Sequence, residues 1–157
     1  MDNEKTIEAL NSLVVINNDR VEGYKTAEAE AKETDLKMLF SDLMETSVQN
    51  KKELSAEITR LGGTPDDGTK LSGKIYRVWM DLKAVLTGDD RKAILDSCEY
   101  GEKVALDLYK KVLIEDHQNI NESQQEMLNR HHALLTTDYA NIVHLRDLVV
   151  ADSDREF

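Results

Sequence analysis

The 157-residue chain carries 31 Asp and Glu against 20 Lys and Arg, a formal net charge of −11. That acid excess excludes the lysine- and arginine-rich faces that nucleic acid and anionic lipid require. At 40% apolar residues a chain of this length can bury a single core without metal or disulfide staples, and the lone Cys98 has no internal disulfide partner. Met1 to Lys5 form neither a basic n-region nor an apolar h-region, and the aliphatic runs Leu13–Ile16 and Leu148–Ala151 fall far short of the roughly 20 residues of a bilayer span. A cytoplasmic protein with no membrane partner is expected.

One proline and seven glycines in the whole chain point to an almost entirely helical protein, because these residues mark the breaks between helices. Apolar positions at spacings of three and four run through Ile7, Leu10, Val14, Val21, Tyr24 and Ala31, and predict a first helix over about residues 3 to 31. Thr34 is placed to cap a second helix, whose stripe is Leu36, Phe40, Leu43, Ser47, Asn50, Leu54, Ile58 and Leu61 and which stops at Gly62-Gly63. Thr64-Pro65-Asp66-Asp67-Gly68 has the composition of a surface loop.

A shorter helix from about Thr69 to Leu86 carries Leu71, Ile75, Val78, Trp79, Leu82 and Val85 on one face. The next long helix, about 89 to 115, has Leu95, Cys98, Glu102, Ala105, Tyr109 and Val112 in its seam. The last follows residues 116–121 with Gln124, Met127, His131, Leu134, Asp138, Ile142, Leu145 and Val149. One domain over 1–151 is expected, with residues 152–157 as a short flexible tail. The long helices, about 27 to 31 residues each, are rods of roughly 40 to 45 Å. Four matched rods make a bundle. The short first and last links force antiparallel neighbours, and the long middle connection returns the chain along the bundle, so the fold class read from the pattern is all-α, a ferritin-like four-helix bundle with an extra helix in the crossover.

Near mid-height each stripe turns polar: Asn17, then Ser47 and Asn50, then Glu102, then His131 and Asp138. A buried carboxylate without partners is costly, so such a layer must be satisfied by hydrogen bonds or by a metal. The structural reading is a layer of Asn17, Tyr24, Asn50, Glu102 and His131 that sets helix alignment. On that reading Glu102 is either paired by His131 or a tyrosine hydroxyl, or kept protonated by a raised pKa, and Glu102→Leu is tolerated or mildly stabilising. A di-metal carboxylate centre needs Glu-x-x-His on two helices. The residues three before His117, His131, His132 and His144 are Ile114, Leu128, Asn129 and Asn141, so that site is incomplete. A degenerate site for Fe or Mn could draw on Glu99, Glu102, His131 and Asp138. No other cofactor is implied, and a non-enzymatic structural or interaction role is preferred over a metal-dependent oxidase or storage protein.

Gly23 and Gly101 interrupt helix interiors, where each costs roughly 1 kcal/mol relative to Ala. Their surroundings form a faint repeat and suggest close helix approach. Trp79 is read as the anchor of the crossover helix, with a homodimer interface as its alternative use.

The segments Asp19-Arg20-Val21-Glu22-Gly23-Tyr24, Leu61-Gly62-Gly63-Thr64-Pro65, Tyr76-Arg77-Val78-Trp79-Met80-Asp81-Leu82-Lys83 and Cys98-Glu99-Tyr100-Gly101-Glu102 resemble a bacterial domain-of-unknown-function family of ferritin-like four-helix bundles. The resemblance covers about residues 5 to 148. It implies an intracellular bacterial protein with no established activity, in a family for which a stress-related role is suspected. Members often carry a histidine where this chain has Tyr139, which weakens a metal reading.

Overall fold

The computed structural model describes residues 2–68, 73–88 and 90–155, which form helices α1 (Asn3–Glu30), α2 (Thr34–Arg60), α3 (Gly73–Gly88), α4 (Arg91–Glu115) and α5 (Glu122–Arg155). Each boundary has a local cause. Asp2 caps α1 by accepting from the Glu4 amide at 3.0 Å, and Asp90 caps α4 through the Ala93 amide at 3.1 Å. Asn121 and Gln124 close a reciprocal capping box at the start of α5, each side chain accepting from the other's amide at 2.7 and 2.9 Å. Thr34 is not the cap of α2 but its first residue. Glu33 occupies the cap position without a side-chain bond to the helix, and its carboxylate is drawn instead to Arg91. Arg91 also reaches both oxygens of Asp35, pinning the start of α4 to the α1–α2 link.

α2 ends in paired glycines. The Gly63 amide donates to Ile58 O at 2.9 Å and the Gly62 amide to Thr59 O at 3.0 Å, with Gly62 at φ 87°, a left-handed position that favours glycine. The loop beyond is tied along α1 by two asparagines two turns apart. Asn11 donates to Thr64 O and accepts from the Asp66 amide, and Asn18 donates to Asp66 O and Gly68 O. The expected start of the crossover helix at Thr69, and Leu71 and Ile75 on its stripe, lie outside the described side chains, whereas Val78, Leu82 and Leu86 are buried. α5 continues to Arg155, so residues 152–155 of the expected tail are helical; residues 156 and 157 lie outside the described set.

Polar pairs fix the helix directions. As α1 advances from Thr6 through Asn17 to Arg20, its partners recede from Asn119 through Tyr109 to Glu102. α2 advances from Glu53 to Glu57 while its α5 partners recede from His131 to Gln124. α1 is therefore antiparallel to α4 and α2 to α5; with α1 and α2 joined antiparallel by a short link, α2 and α4 run parallel. The result is an up-down-down-up four-helix bundle with the fifth helix, α3, in the long connection, an all-α fold. Among the described residues, no helix is long and apolar enough to cross a membrane.

The apolar core is in two halves. One contains Leu10, Leu13, Leu54, Ile58, Val112 and Leu128, the other Ala27, Phe40, Leu43, Leu95, Cys98 and Ile142. Between them lie the polar positions of all four long helices. On α5 the stripe departs from the expected one: Leu134 is 48% exposed, while Leu128 and Leu135 are fully buried. The inward row advances by four from Gln124 to Leu128 and from His131 to Leu135, which turns Leu134 outward.

α3 lies across α1 and α4, and this accounts for the two interior glycines. A Cβ at Gly23 would run into the six-membered ring of Trp79, and one at Gly101 would stand 2.8 Å from Val78 Cγ1. The close approach predicted at these glycines is thus made by the crossover helix. Trp79 also meets Tyr24 edge-on, ring centroids 5.2 Å apart. Gly23→Ala is expected to lower the melting temperature: the helix-propensity gain of about 1 kcal/mol is outweighed by overpacking of about 1–3 kcal/mol against a rigid ring. A higher melting temperature with unchanged tryptophan emission would show that α3 does not rest there.

Candidate functional site

Asn17, Ser47, Asn50, Glu102 and His131 are buried and Asp138 is partly so; apart from Asn50, whose Nδ2 has no hydrogen-bond partner among the described residues, they separate into two hydrogen-bonded groups. In the first, Asn17 Nδ2 on α1 donates to Leu13 O at 2.8 Å and to the Tyr109 hydroxyl on α4 at 2.9 Å. Tyr109 Oη lies 3.0 Å from His131 Nδ1, and His131 Nε2 lies 3.1 Å from Glu53 Oε2 on α2. The chain assigns a consistent set of protons: Tyr109 donates to Nδ1 and Nε2–H donates to the carboxylate. Burial lowers the His131 pKa, partly opposed by Glu53, so the ring is neutral at pH 7. Burial likewise pushes the Tyr109 hydroxyl well up.

The second group is centred on a residue that periodicity did not single out. Arg20 is 2% exposed and Glu102 0%. The guanidinium donates to Glu102 Oε1 from Nη2 at 2.7 Å and from Nε at 3.2 Å, and its Nη1 donates to Ser47 Oγ. It reaches Asp138 Oδ2 at 3.4 Å, and the Tyr24 hydroxyl donates to the same Glu102 oxygen at 2.5 Å. Arg20 also stands 5.4 Å from the Tyr24 ring centroid. Burial opposes the charged guanidinium, but the carboxylates around it prevail and its proton is held more tightly than in water. Burial and the Glu102 charge together push Tyr24 well up, and burial raises Asp138 to about 6 against the partial pull of Arg20.

These contacts change the expectations for the named residues. Glu102 is neutralised by Arg20 and Tyr24, not by His131, which belongs to the other group. The candidate metal ligands are not brought together. Glu102 and Asp138 share Arg20, His131 faces Glu53, and Glu99 lies at the α4–α5 edge with Arg146, with the Tyr139 hydroxyl at 3.1 Å and with Lys103 at 3.7 Å. Among the described residues, no three His, Cys, Asp or Glu side chains are grouped to hold a metal ion. Ser47 and Asn50 are both buried, and Cys98 is a core thiol whose pKa burial raises. Trp79 is the anchor of α3 on its own chain.

Sequence periodicity also missed Asp19. It is 1% exposed, and neither carboxylate oxygen has a hydrogen-bond partner among the described residues. Burial raises its pKa from 3.8 to about 6.

The chain is thus an all-α bundle with a crossover helix and an arginine-centred ion cluster shared by its four long helices. It belongs to the family described as a domain of unknown function, DUF2383, whose pattern matches residues 5–115. The match runs from the first turns of α1 to the last residue of α4. No curated protein matches the chain.

Two measurements test this geometry. Arg20→Met leaves Glu102 buried without a cation, and Glu102→Leu leaves Arg20 only its longer contact to Asp138; each is expected to cost about 3–5 kcal/mol, while the double variant should recover much of the loss, and additive losses in urea unfolding would refute the pairing. Asp19 gives a pH signature. Its folded-state pKa lies above the unfolded value, so the fold favours the protonated form, and the penalty is absent below the unfolded pKa and complete above about pH 6. Asp19→Asn should therefore stabilise the protein by up to about 3 kcal/mol at pH 8 and by only a fraction of that near pH 4, and equal stability of the two proteins at pH 8 would contradict the burial of an unpaired carboxylate.

Proposed function

We propose that this protein is a non-enzymatic helical scaffold of ferritin-like topology, acting through its surfaces, in which an arginine stands where a metal-carboxylate bundle would place its cation. The observation that carries this reading is the seating of the Arg20 guanidinium against Glu102 on α4, Ser47 on α2 and Asp138 on α5. A fixed positive charge 2.7 Å from Glu102 Oε1 repels a second cation at the same carboxylate. The two polar groups then serve alignment: sliding any long helix by one turn, about 5.4 Å, breaks contacts in both at once. A cytoplasmic location is consistent with a single cysteine that has no disulfide partner in the chain.

The rival reading, a metal-binding oxidase or storage protein, draws on Glu102 Oε2, which is buried and has no hydrogen-bond partner among the described residues. Metal analysis of protein purified without chelator separates the two. Iron and manganese are expected far below one per chain, with a melting temperature unmoved by EDTA. Stoichiometric Fe or Mn that disappears in Glu102→Ala, or in Asp138→Asn if the first variant does not fold, would reverse the assignment.

A further inference from the structure

We propose that the cleft between α1 and α3 is a binding site for a small organic cation, a primary ammonium group carried on a short apolar arm. The cleft is remote in kind from the core ion cluster, and the proposal stands whether or not the scaffold reading above is correct.

Its volume, about 310 Å3, lies in the range of sites that enclose small ligands. Two of the residues lining it carry buried polar atoms with no hydrogen-bond partner among the described residues: the Asp19 carboxylate, through both oxygens, and the Trp79 indole Nε1. Unpartnered buried polar groups are rare because each forfeits its hydration, and the Asp19 carboxylate, unpartnered through both oxygens, calls for a ligand that donates. An ammonium group supplies the missing donor. It has three N–H bonds to direct at carboxylate oxygens, and its charge-assisted hydrogen bond is the strong kind.

The rest of the lining selects the same chemistry. Glu22 and Glu30 add two carboxylates at the exposed edge against the single ammonium of Lys83, so the field in the cleft favours a cation and opposes an anion. Leu82, Leu86 and Ala27 are buried wall residues, and they leave an apolar surface for a hydrocarbon arm. The Trp79 side chain, seated on Gly23, lines the same cleft. A divalent metal suits the cleft less well: beyond Asp19 its carboxylates are exposed, and no group of three ligating side chains occurs among the described residues.

Trp79 is the only tryptophan of the chain, so its fluorescence reads the cleft directly. Butylammonium is the probe, with 1-butanol, butyrate and the chlorides of magnesium and manganese as separate arms. Butylammonium should give a saturable change in emission that butanol, butyrate and either metal do not. In Asp19→Asn the affinity should fall at least about ten-fold, the weight of a charge-assisted hydrogen bond. Thr26→Leu, which narrows the mouth without touching the carboxylate, should weaken binding as well and keeps the test open if the first variant does not fold. Circular dichroism checks that both variants remain helical. The proposal is overturned if butanol binds as well as the amine, if manganese or magnesium alone gives the saturable response, if affinity is unchanged in Asp19→Asn, or if the amine gives no saturable response.

Discussion

A guanidinium held at 2% exposure in the middle of a bundle must be neutralised on the spot, and the rest of the structure is arranged around that requirement. Removing such an ion from water costs several kcal/mol before any partner is counted. Arg20 recovers that cost only where Glu102 of α4, Ser47 of α2 and Asp138 of α5 converge on it, with Tyr24 one turn along its own helix. Hydrophobic contacts tolerate small slides of one rod along another. A forked ion pair at 2.7 Å does not. The apolar halves on either side supply burial, and on the scaffold reading the ion cluster with the Asn17–Tyr109–His131–Glu53 chain sets the register.

The crossover helix follows from the same economy of space. α2 and α4 run parallel, so the connection must travel the length of the bundle, and α3 fills that path. Its seat exists because Gly23 and Gly101 leave out two Cβ atoms where Trp79 and Val78 enter. Trp79 borders both halves of the core, so α3 closes the bundle over the level at which the polar groups interrupt it.

The four long helices were legible because each carries a sustained three-and-four spacing between obvious breaks, and the polar interruptions at Asn17, Ser47, Asn50, Glu102 and His131 stood out within it. Arg20 was not legible, because it lies off the stripe that points to a single neighbour. Between Leu13 and Arg20, α1 is buried around most of its circumference, and a one-faced pattern cannot describe a helix covered on several sides. Asn18 and Asp19 escaped for the same reason: Asn18 is bonded to the loop after α2, and Asp19 lines the cleft with α3. Glu53, partner of a fully buried histidine, is 42% exposed and so looked like surface. The reciprocal cap of Asn121 and Gln124 was within reach, since an amide residue three positions after an Asn at a helix start is a recognisable signature.

The two ends of the bundle are fastened by different forces. Where α2 ends and α5 begins, the cap and loop contacts hold no ion pair: a glycine-terminated helix, asparagines holding a loop, and an uncharged Asn121–Gln124 cap. At the opposite end, Arg91 ties α4 to the acidic link between α1 and α2 through Glu33 and Asp35, in contact with solvent. Mobile ions screen the second kind over about 10 Å at 0.1 M and over about 3 Å at 1 M, and barely affect the first. Raising ionic strength should therefore loosen the molecule from one pole, with amide exchange quickening in the second turns of α2 and α4 while the second turn of α5 keeps its protection.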